Sequence, residues 1–259
     1  MIPYLVPPLT GLQVLVTRPA LQAEPLCQQV VKLGGEVLRL PVLAIEPRSA
    51  ELPTLAYDLL IFISTNAVQH GQAVLASQPR ARIAAVGTAT AQALQALGHA
   101  IDITPEHAAN SEALLAHPLL QSPPANILIV RGSGGRELLR DTLAARGSRV
   151  DVVAVYERIA VVPAAEHYAA LRLQLHNGEL DVISVTSVDI LRALQALLDA
   201  ESLALLHACT LLAGSARIAK AARESGWQGE YIIADSPEDA ALLAALTRWY
   251  TRARGELLR

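Results

Sequence analysis

An open α/β architecture, built as two similar parallel-sheet domains, is the fold class that this 259-residue sequence predicts. Its rhythm is the first sign: short β-branched and leucine runs alternate with alanine- and leucine-rich stretches of helical period, at spacings typical of parallel strands joined by helices. Duplication is the second. Val14-Leu15-Val16-Thr17-Arg18, with Leu26, Gly34 and Val37 behind it, returns at a constant offset as Ile127-Leu128-Ile129-Val130-Arg131, with Leu139, Gly147 and Val150 behind it. The run Asp58-Leu59-Leu60-Ile61-Phe62-Ile63-Ser64-Thr65 answers to Asp181-Val182-Ile183-Ser184-Val185-Thr186-Ser187, and 81–99 aligns without a gap on 209–227. A duplicated α/β unit with polar residues repeated at its strand ends implies two similar lobes with a ligand between them.

In chain order, an apolar strand at 12–17 ends on an arginine, an amphipathic helix at 20–33 follows, and a glycine turn leads to a strand at 36–40. Further strands are expected at 59–63 and 82–86 and a weaker one at 100–103, with helices at 66–77, 88–97 and 110–117 between and after them. The second copy supplies strands at 126–130 and 149–155 around a helix at 135–146, then a helix at 164–176. Strands at 181–185, 209–213 and 230–234 alternate with helices at 188–199, 215–225 and 237–252. The continuous apolar runs Ile127-Leu128-Ile129-Val130 and Val182-Ile183-Ser184-Val185 suit buried parallel strands. Ligands of this class bind at the carboxyl ends of the strands.

Two segments break the rhythm: 38–48 (LRLPVLAIEPR) and 150–163 (VDVVAVYERIAVVP) are extended and too long for one average strand. They occupy matching places in the repeat, so each is expected to finish a strand in one lobe and cross to the other. The partition that follows is a discontinuous outer domain, 1–43 plus 160–259, and a continuous middle domain, 48–157, with linkers at about 38–48 and 154–163. A paired linker of this kind is a natural hinge.

Composition excludes several function classes. Charged residues make up 17% and mean hydropathy is +0.34, yet no apolar run reaches the roughly 18 residues of a membrane span. Residues 1–8 contain no basic residue and too short an apolar stretch for a secretory signal, and are expected to be a disordered lead-in to a cytoplasmic protein. Cys27 and Cys209 read as core thiols. A net charge of -3 without a basic stripe argues against a nucleic-acid partner, and the lack of a marked apolar surface stretch favours a monomer.

The candidate site residues stand just past strands: Thr17-Arg18, Ser64-Thr65-Asn66, Gly87-Thr88-Ala89-Thr90 and Arg131-Gly132-Ser133-Gly134-Gly135, then Thr186-Ser187, Gly214-Ser215 and Asp235-Ser236. Many of these also serve as helix N-caps. Their convergence suggests more, because free amides, hydroxyls and a nearby arginine at helix N-termini make anion sites. The segment from Arg131 to Arg136 has the composition of a phosphate loop but lacks both the P-loop ending and the dinucleotide-fold spacing. The histidines at 70, 99, 107, 117, 167, 176 and 207 show no metal spacing. Asp58 and Asp181 precede strands, opposite the expected site, where capping or turn roles fit. Trp227, after a helix, is expected to pack in its own lobe. Tyr156 stands in a crossing segment, where its hydroxyl is expected to face a cleft.

Val16-Thr17-Arg18-Pro19, Gly34-Gly35-Glu36 with Pro41, Ser64-Thr65-Asn66-Ala67-Val68, Val86-Gly87-Thr88-Ala89-Thr90-Ala91, Arg131-Gly132 through Arg136 with Leu139, Val155-Tyr156, Thr186-Ser187 and Ser236-Pro237 share an order and spacing. In these, over nearly its whole length, the chain resembles the uroporphyrinogen-III synthase family. The resemblance implies a cofactor-free, metal-free lyase of porphyrin (haem) biosynthesis, made of two flavodoxin-like domains joined by a two-stranded hinge, with the substrate in the cleft between them. That substrate is hydroxymethylbilane, a linear tetrapyrrole that loses water, inverts its last pyrrole ring and closes to uroporphyrinogen III. It also closes unaided to the wrong isomer, so steering is the main task, and positioning supplies several kcal/mol without a reactive side chain.

By the same resemblance Tyr156 is the candidate catalytic residue, donating a proton to the departing hydroxyl or holding it. The acetate and propionate groups are expected to meet Ser64, Thr65, Asn66, Thr88, Thr90, Thr186, Ser187 and Ser215, along with Thr17, Arg18, Arg131, Gly132, Ser133 and Arg136. The second copy departs from the family at Ile218, where many relatives carry threonine, and Ser215 or Arg217 is the expected replacement contact. Two rivals remain: a non-catalytic two-lobed binding protein for a small organic anion, and a nucleotide-dependent enzyme using Arg131 to Gly135.

Overall fold

The computed structural model describes residues 6–52, 54–105 and 110–257, with side chains as far as 254. The lead-in expectation at residues 1–5 and His107 lie outside the described residues. In chain order the elements are β1 (Gln13–Val16), α1 (Ala20–Lys32), β2 (Glu36–Arg39), β3 (Leu43–Pro47), β4 (Leu59–Phe62), α2 (Thr65–His70), α3 (Gln72–Ser77), β5 (Arg82–Ala85), α4 (Thr88–Ala96), α5 (Ser111–Leu115) and α6 (Pro118–Gln121). There follow β6 (Asn126–Gly132), α7 (Leu138–Ala145), β7 (Arg149–Ala160), α8 (Ala165–Asn177), β8 (Val182–Val185), α9 (Val188–Leu197), α10 (Ala200–Ala208), β9 (Thr210–Ala213), α11 (Ala216–Glu224), β10 (Tyr231–Ile233) and α12 (Asp239–Leu257).

The strands form two sheets, in the orders β10-β9-β8-β1-β2 and β3-β7-β6-β4-β5. The chain divides into two compact units, Met1–Ala44 with Ala160–Arg259, and Ile45–Ile159. Each sheet mixes the two copies of the repeat. β1 and β2 of the first copy join β8, β9 and β10 of the second, while β6 and β7 of the second join β4 and β5 of the first. The central ladders, β1 with β8 and β6 with β4, are parallel and hold the copies together. The long segment 150–163 contributes to one unbroken strand, β7, whereas 38–48 splits at Pro41, which has no ladder N–H, into β2 and β3. Val161 N donates to Val42 O and Arg48 N to Val155 O, so β3 and β7 run in opposite directions.

An aspartate sets the register at the start of each central ladder. The Asp181 carboxylate accepts from Gln13 N at 2.8 Å, and the Asp58 carboxylate accepts from Asn126 N at 2.9 Å. Their backbones complete the tie, Asp181 N donating to Gln13 O and Asp58 N to Asn126 O. Alternation then fills both faces of each sheet. In the first unit Leu15, Ile183 and Val185 face a core with α8, α9, α10 and α11, whereas Val14, Val16 and Val182 face α1 and α12. In the second, Leu60, Phe62, Leu128 and Val130 pack with α2, α3 and α4, and Leu59, Ile61, Ile127 and Ile129 with α5, α6 and α7. Trp227 is buried in its own unit, its indole N–H donating to Cys209 O at 2.9 Å. Cys27 is fully buried, and burial pushes the Cys209 thiol up to about 11. Among the described residues, no helix is long and apolar enough to cross a membrane.

Several expected elements are redrawn. Segment 100–103 makes a single bridge, Ile103 to Ala84, because the Asp102 carboxylate takes the Ile83 N–H that a ladder would use. The helix expected at 66–77 breaks at Gly71, where a Cβ would stand 2.9 Å from Val130 Cγ1 and 3.1 Å from Phe62 Cε1. The one at 110–117 becomes α5 and then α6, which Pro118 opens. α7 starts at Leu138 because Gly134 and Gly135 take φ values of 71° and 105°. Helix α10 was not anticipated: Asp199, read as the end of one helix, caps the next, its carboxylate accepting from Ser202 N at 2.8 Å.

Two outcomes are expected. Asp58→Ala and Asp181→Ala each lower stability by about 1 kcal/mol, the net worth of one such hydrogen bond, and add nearly independently in denaturant unfolding because they lie in different sheets. His207 is buried against Trp227, ring centroids 5.2 Å apart, and burial holds its imidazole below the ordinary 6.5, against a smaller opposite pull from the Gly226 backbone. A folded value below the unfolded one means that the stability from neutral His207 is full above about pH 6.5 and is lost as pH falls through the lower folded value. Urea midpoints measured between about pH 8 and pH 5 should therefore decline on the acid side of 6.5, and His207→Gln should flatten that decline.

Candidate functional site

In doubly wound sheets the strand order reverses at one point, and the loops leaving the carboxyl ends of the two strands there diverge and open a crevice. The reversal falls between β6 and β4 in the second unit and between β1 and β8 in the first. The candidate residues at the ends of those four strands are 64–66, 131–136 (of which 131 and 132 close β6), 17–18 and 186–187.

The second unit holds the more developed constellation. After β4, Ser64 is extended (φ -164°, ψ 163°) and caps α2, its Oγ accepting from Ala67 N at 3.1 Å. The same Oγ lies 3.1 Å from the Tyr156 hydroxyl. Tyr156, on β7, is 1% exposed, so the expectation that its hydroxyl faces a cleft is corrected: the ring is core and the hydroxyl points at Ser64. Gly132 makes this possible. It pairs with Tyr156 beyond a register shift in β6, and a Cβ there would lie 2.6 Å from both Cε2 and Cζ of the ring. Ser133 N then donates to Tyr156 O at 2.8 Å.

Two neighbours of the ring were not anticipated. Arg158 is two residues further along β7, hence on the same face; its Nη2 donates to the Tyr156 hydroxyl at 3.3 Å and its guanidinium carbon lies 5.6 Å from the ring centroid. The His70 ring, at the end of α2, is 6.0 Å from that of Tyr156. Period-two alternation from Tyr156 would have found Arg158; nothing in the sequence signals His70. A row thus runs from Arg158 through Tyr156 to half-buried Ser64, beside exposed Thr65 and half-buried Asn66.

The glycine-rich loop is closed by its own charges. Arg131 bonds Glu137 at 2.6 Å and Arg136 O at 3.2 Å, Arg136 makes a two-pronged pair with Glu112 at 2.6 and 3.1 Å, and Arg48 donates to Ser133 Oγ at 3.1 Å. The Glu112 bond raises the already high Arg136 value further. Thr88 is exposed at the start of α4, whereas Thr90 is 4% exposed and faces inward.

In the first unit two expectations are redirected. Thr17 is fully buried and donates to Ser184 O at 2.6 Å, which ties β1 to β8. Arg18 is 7% exposed, and its guanidinium bonds the Asp239 carboxylate and Pro237 O, anchoring the start of α12. Ser187 caps α9, accepting from Ile190 N at 3.1 Å; Thr186 and Ser215 are half-buried at the strand ends. Ile218 is 2% exposed in the apolar core, as its counterpart Thr90 is buried in the other unit, so this position supplies packing and the departure at Ile218 is a change in core composition.

Two recesses are lined by other residues. One of about 810 Å³ runs between α1 and α12, lined by Leu33, Leu243 and Thr247 among others. Another, of about 550 Å³, lies along β7, where Tyr57, pushed up to about 12 by burial and by Asp151, bonds that carboxylate at 2.7 Å.

A family model described as Uroporphyrinogen-III synthase HemD matches residues 24–244. The chain is 37% identical over 253 residues to the uroporphyrinogen-III synthase of Escherichia coli (strain K12), covering 91% of this chain and 100% of that protein. To the uroporphyrinogen-III synthase of Salmonella typhimurium (strain LT2) it is 36% identical over 254 residues, with the same coverage of 91% and 100%. A mutant uroporphyrinogen III synthase from the extremely thermophilic bacterium Thermus thermophilus matches with a TM-score of 0.60 at 23% identity, covering 92% of this chain and 98% of that one. The uroporphyrinogen-III synthetase of Helicobacter pylori 26695 matches with a TM-score of 0.61 at 18% identity, covering 92% and 99%. At those identities the two structures speak for the fold.

Gly132→Ala should push the Tyr156 ring out of place and cost about 1–3 kcal/mol by overpacking. In a Tyr156→Ala background, where the ring is gone, the same substitution should cost little; chemical denaturation of the four proteins checks this.

Proposed function

The chain belongs to the uroporphyrinogen-III synthase family, and on that premise we propose how its own side chains serve the reaction. It is a cyclising lyase of porphyrin biosynthesis that converts hydroxymethylbilane to uroporphyrinogen III. The bond from the terminal methylene to its hydroxyl breaks, and the hydroxyl leaves with a proton as water. The last ring then bonds to that methylene through the α carbon that already carries the preceding bridge, the bond from that bridge carbon to the ring breaks, and the bridge re-forms at the ring's free α carbon with loss of its proton, so that the ring is inverted as the macrocycle closes. Family membership over the full length of the relatives sets aside the non-catalytic rival. The pairing of Arg131 with Glu137 and of Arg136 with Glu112 argues against a nucleotide-phosphate loop.

The observation that carries the assignment of roles is the row from Arg158 through Tyr156 to Ser64. Ser64 is the part of it that meets the substrate. Its hydroxyl stands at the departing oxygen and passes on a proton, with the Tyr156 phenol behind it as the buried source. The acetate and propionate carboxylates are held by Thr65, Asn66, Thr88, Ser133 and the amides around Gly132 in one unit, and by Thr186, Ser187 and Ser215 in the other. Arg131 and Arg136 reach a carboxylate only by exchanging Glu137 and Glu112 for it. Thr17, Arg18 and Thr90 take part as supports, since their side chains are buried. The substrate's own carboxylates balance the positive charge that develops on the azafulvene-like intermediate. A cytoplasmic monomer is the form we assign to the enzyme.

Fresh hydroxymethylbilane supplied to the protein, followed by oxidation and chromatographic separation of the isomers, should give predominantly type III uroporphyrin; type I alone, formed at the uncatalysed rate, would refute the assignment. Tyr156→Phe and Ser64→Ala should each lower kcat about 10- to 100-fold, the low end of what one positioned proton donor supplies, with the protein still folded. Full activity in Tyr156→Phe would remove that residue from the mechanism.

A further inference from the structure

We propose that Arg158 is a positioning residue of this reaction: it acts through Tyr156, aiming the phenol proton at Ser64 and so the Ser64 proton at the substrate. The proposal rests on the roles given above to Tyr156 and Ser64. Its basis is a count of donors and acceptors. A phenol has one proton, and among the described residues the Tyr156 hydroxyl has two hydrogen-bond partners, Ser64 Oγ at 3.1 Å and Arg158 Nη2 at 3.3 Å. A guanidinium carries no acceptor, so the phenol accepts from Arg158 and its buried proton goes to Ser64 Oγ. A buried hydroxyl proton without an acceptor is costly, which makes that direction the favoured one. Ser64 Oγ then accepts twice, from Tyr156 and from Ala67 N at 3.1 Å. The serine's own proton is left pointing outward from the row, toward whatever oxygen occupies the site.

The duplication supplies independent support. At the offset that relates Val14 to Ile127 and Val37 to Val150, Tyr156 corresponds to Leu43 and Arg158 to Ile45. Leu43 is 7% exposed in the apolar core of its unit, and Ser187, the counterpart of Ser64, caps α9. Packing and capping at this place are therefore met by leucine and serine alone. The phenol and the guanidinium are additions of the second copy. Consecutive hydrogen bonds from a cation through two hydroxyls also polarise one another, which strengthens the serine as a donor.

The test is a double-mutant cycle on the whole protein with hydroxymethylbilane as substrate, reading kcat, KM, isomer ratio and unfolding midpoint for wild type, Arg158→Met, Tyr156→Phe and the pair. Arg158→Met should lower kcat about 10-fold, leave KM within about twofold with the protein still folded, and have no further effect on kcat in the Tyr156→Phe background, as coupling through a shared partner requires. Should Arg158→Met fail to fold, Arg158→Lys, which keeps the charge without the planar fork, enters the same cycle. Additive losses in kcat, or a change in KM with kcat intact, would overturn the proposal while leaving the synthase assignment standing. A wild-type protein that forms no type III product would sink the assignment itself, and a fully active Tyr156→Phe would remove the role of Tyr156 and this inference with it.

Discussion

Each unit depends on a central parallel ladder made between segments far apart in the chain, β1 with β8 and β4 with β6. In each, a strand of one copy of the repeat pairs with a strand of the other, and the aspartates at 58 and 181 lock the exchanged pairing at its first residue pair. Because side chains alternate along a strand, a slip of one residue in either ladder would exchange the side chains that pack the two cores of that sheet and shift every loop beyond it. Parallel pairing also closes long loops before it gains contacts, so the exchanged topology trades folding speed for its arrangement of strand ends.

That arrangement sets the strand ends of each unit. The loops that diverge at the reversal of strand order begin at Thr17 and Thr186 in one unit and at Ser64 and Ser133 in the other, and the four do different work. Thr17 and Arg18 face inward and secure β8 and α12. Ser64 and Ser187 cap helices, leaving hydroxyls and first-turn amides at the surface. The Arg131 to Arg136 loop satisfies its cations with Glu137 and Glu112, so positive charge is held in place without being presented bare. A ligand that carries many carboxylates can exchange with such pairs, and the exchange discriminates by geometry more than by charge.

The two copies have diverged around Tyr156. The first copy keeps leucine at 43 and builds an apolar core around it; the second replaces it with Tyr156, removes the side chain at Gly132 to make space, and sets Arg158 on the outer side of the ring. On the roles proposed above, positioned hydroxyls would lower the barrier at one bond and hold the substrate in its productive fold, work that calls for placement more than for reactive side chains.

The α/β class, the order of strands along the chain and the polar character of their carboxyl ends could all be read from the sequence, because apolar periodicity and duplication are local signals that survive without a partner. The starts of α2 and α9 were legible for the same reason, since a serine cap acts within its own turn. What could not be read depends on residues distant in the chain. Gly71, where α2 ends, stands where Phe62 and Val130 leave no room for a side chain; Asp102 replaces a ladder that 100–103 could otherwise have formed; Asp199 belongs to the helix after it. Thr17 and Arg18 look like ligand contacts in a string of polar residues, and only their burial against Ser184, Pro237 and Asp239 turns them into supports. Tyr156 could be singled out by its place, but not its burial, its Gly132 socket or the cation behind it. Sequence records which groups a strand end carries; burial and direction are set by what packs on them, and that is a property of the folded chain.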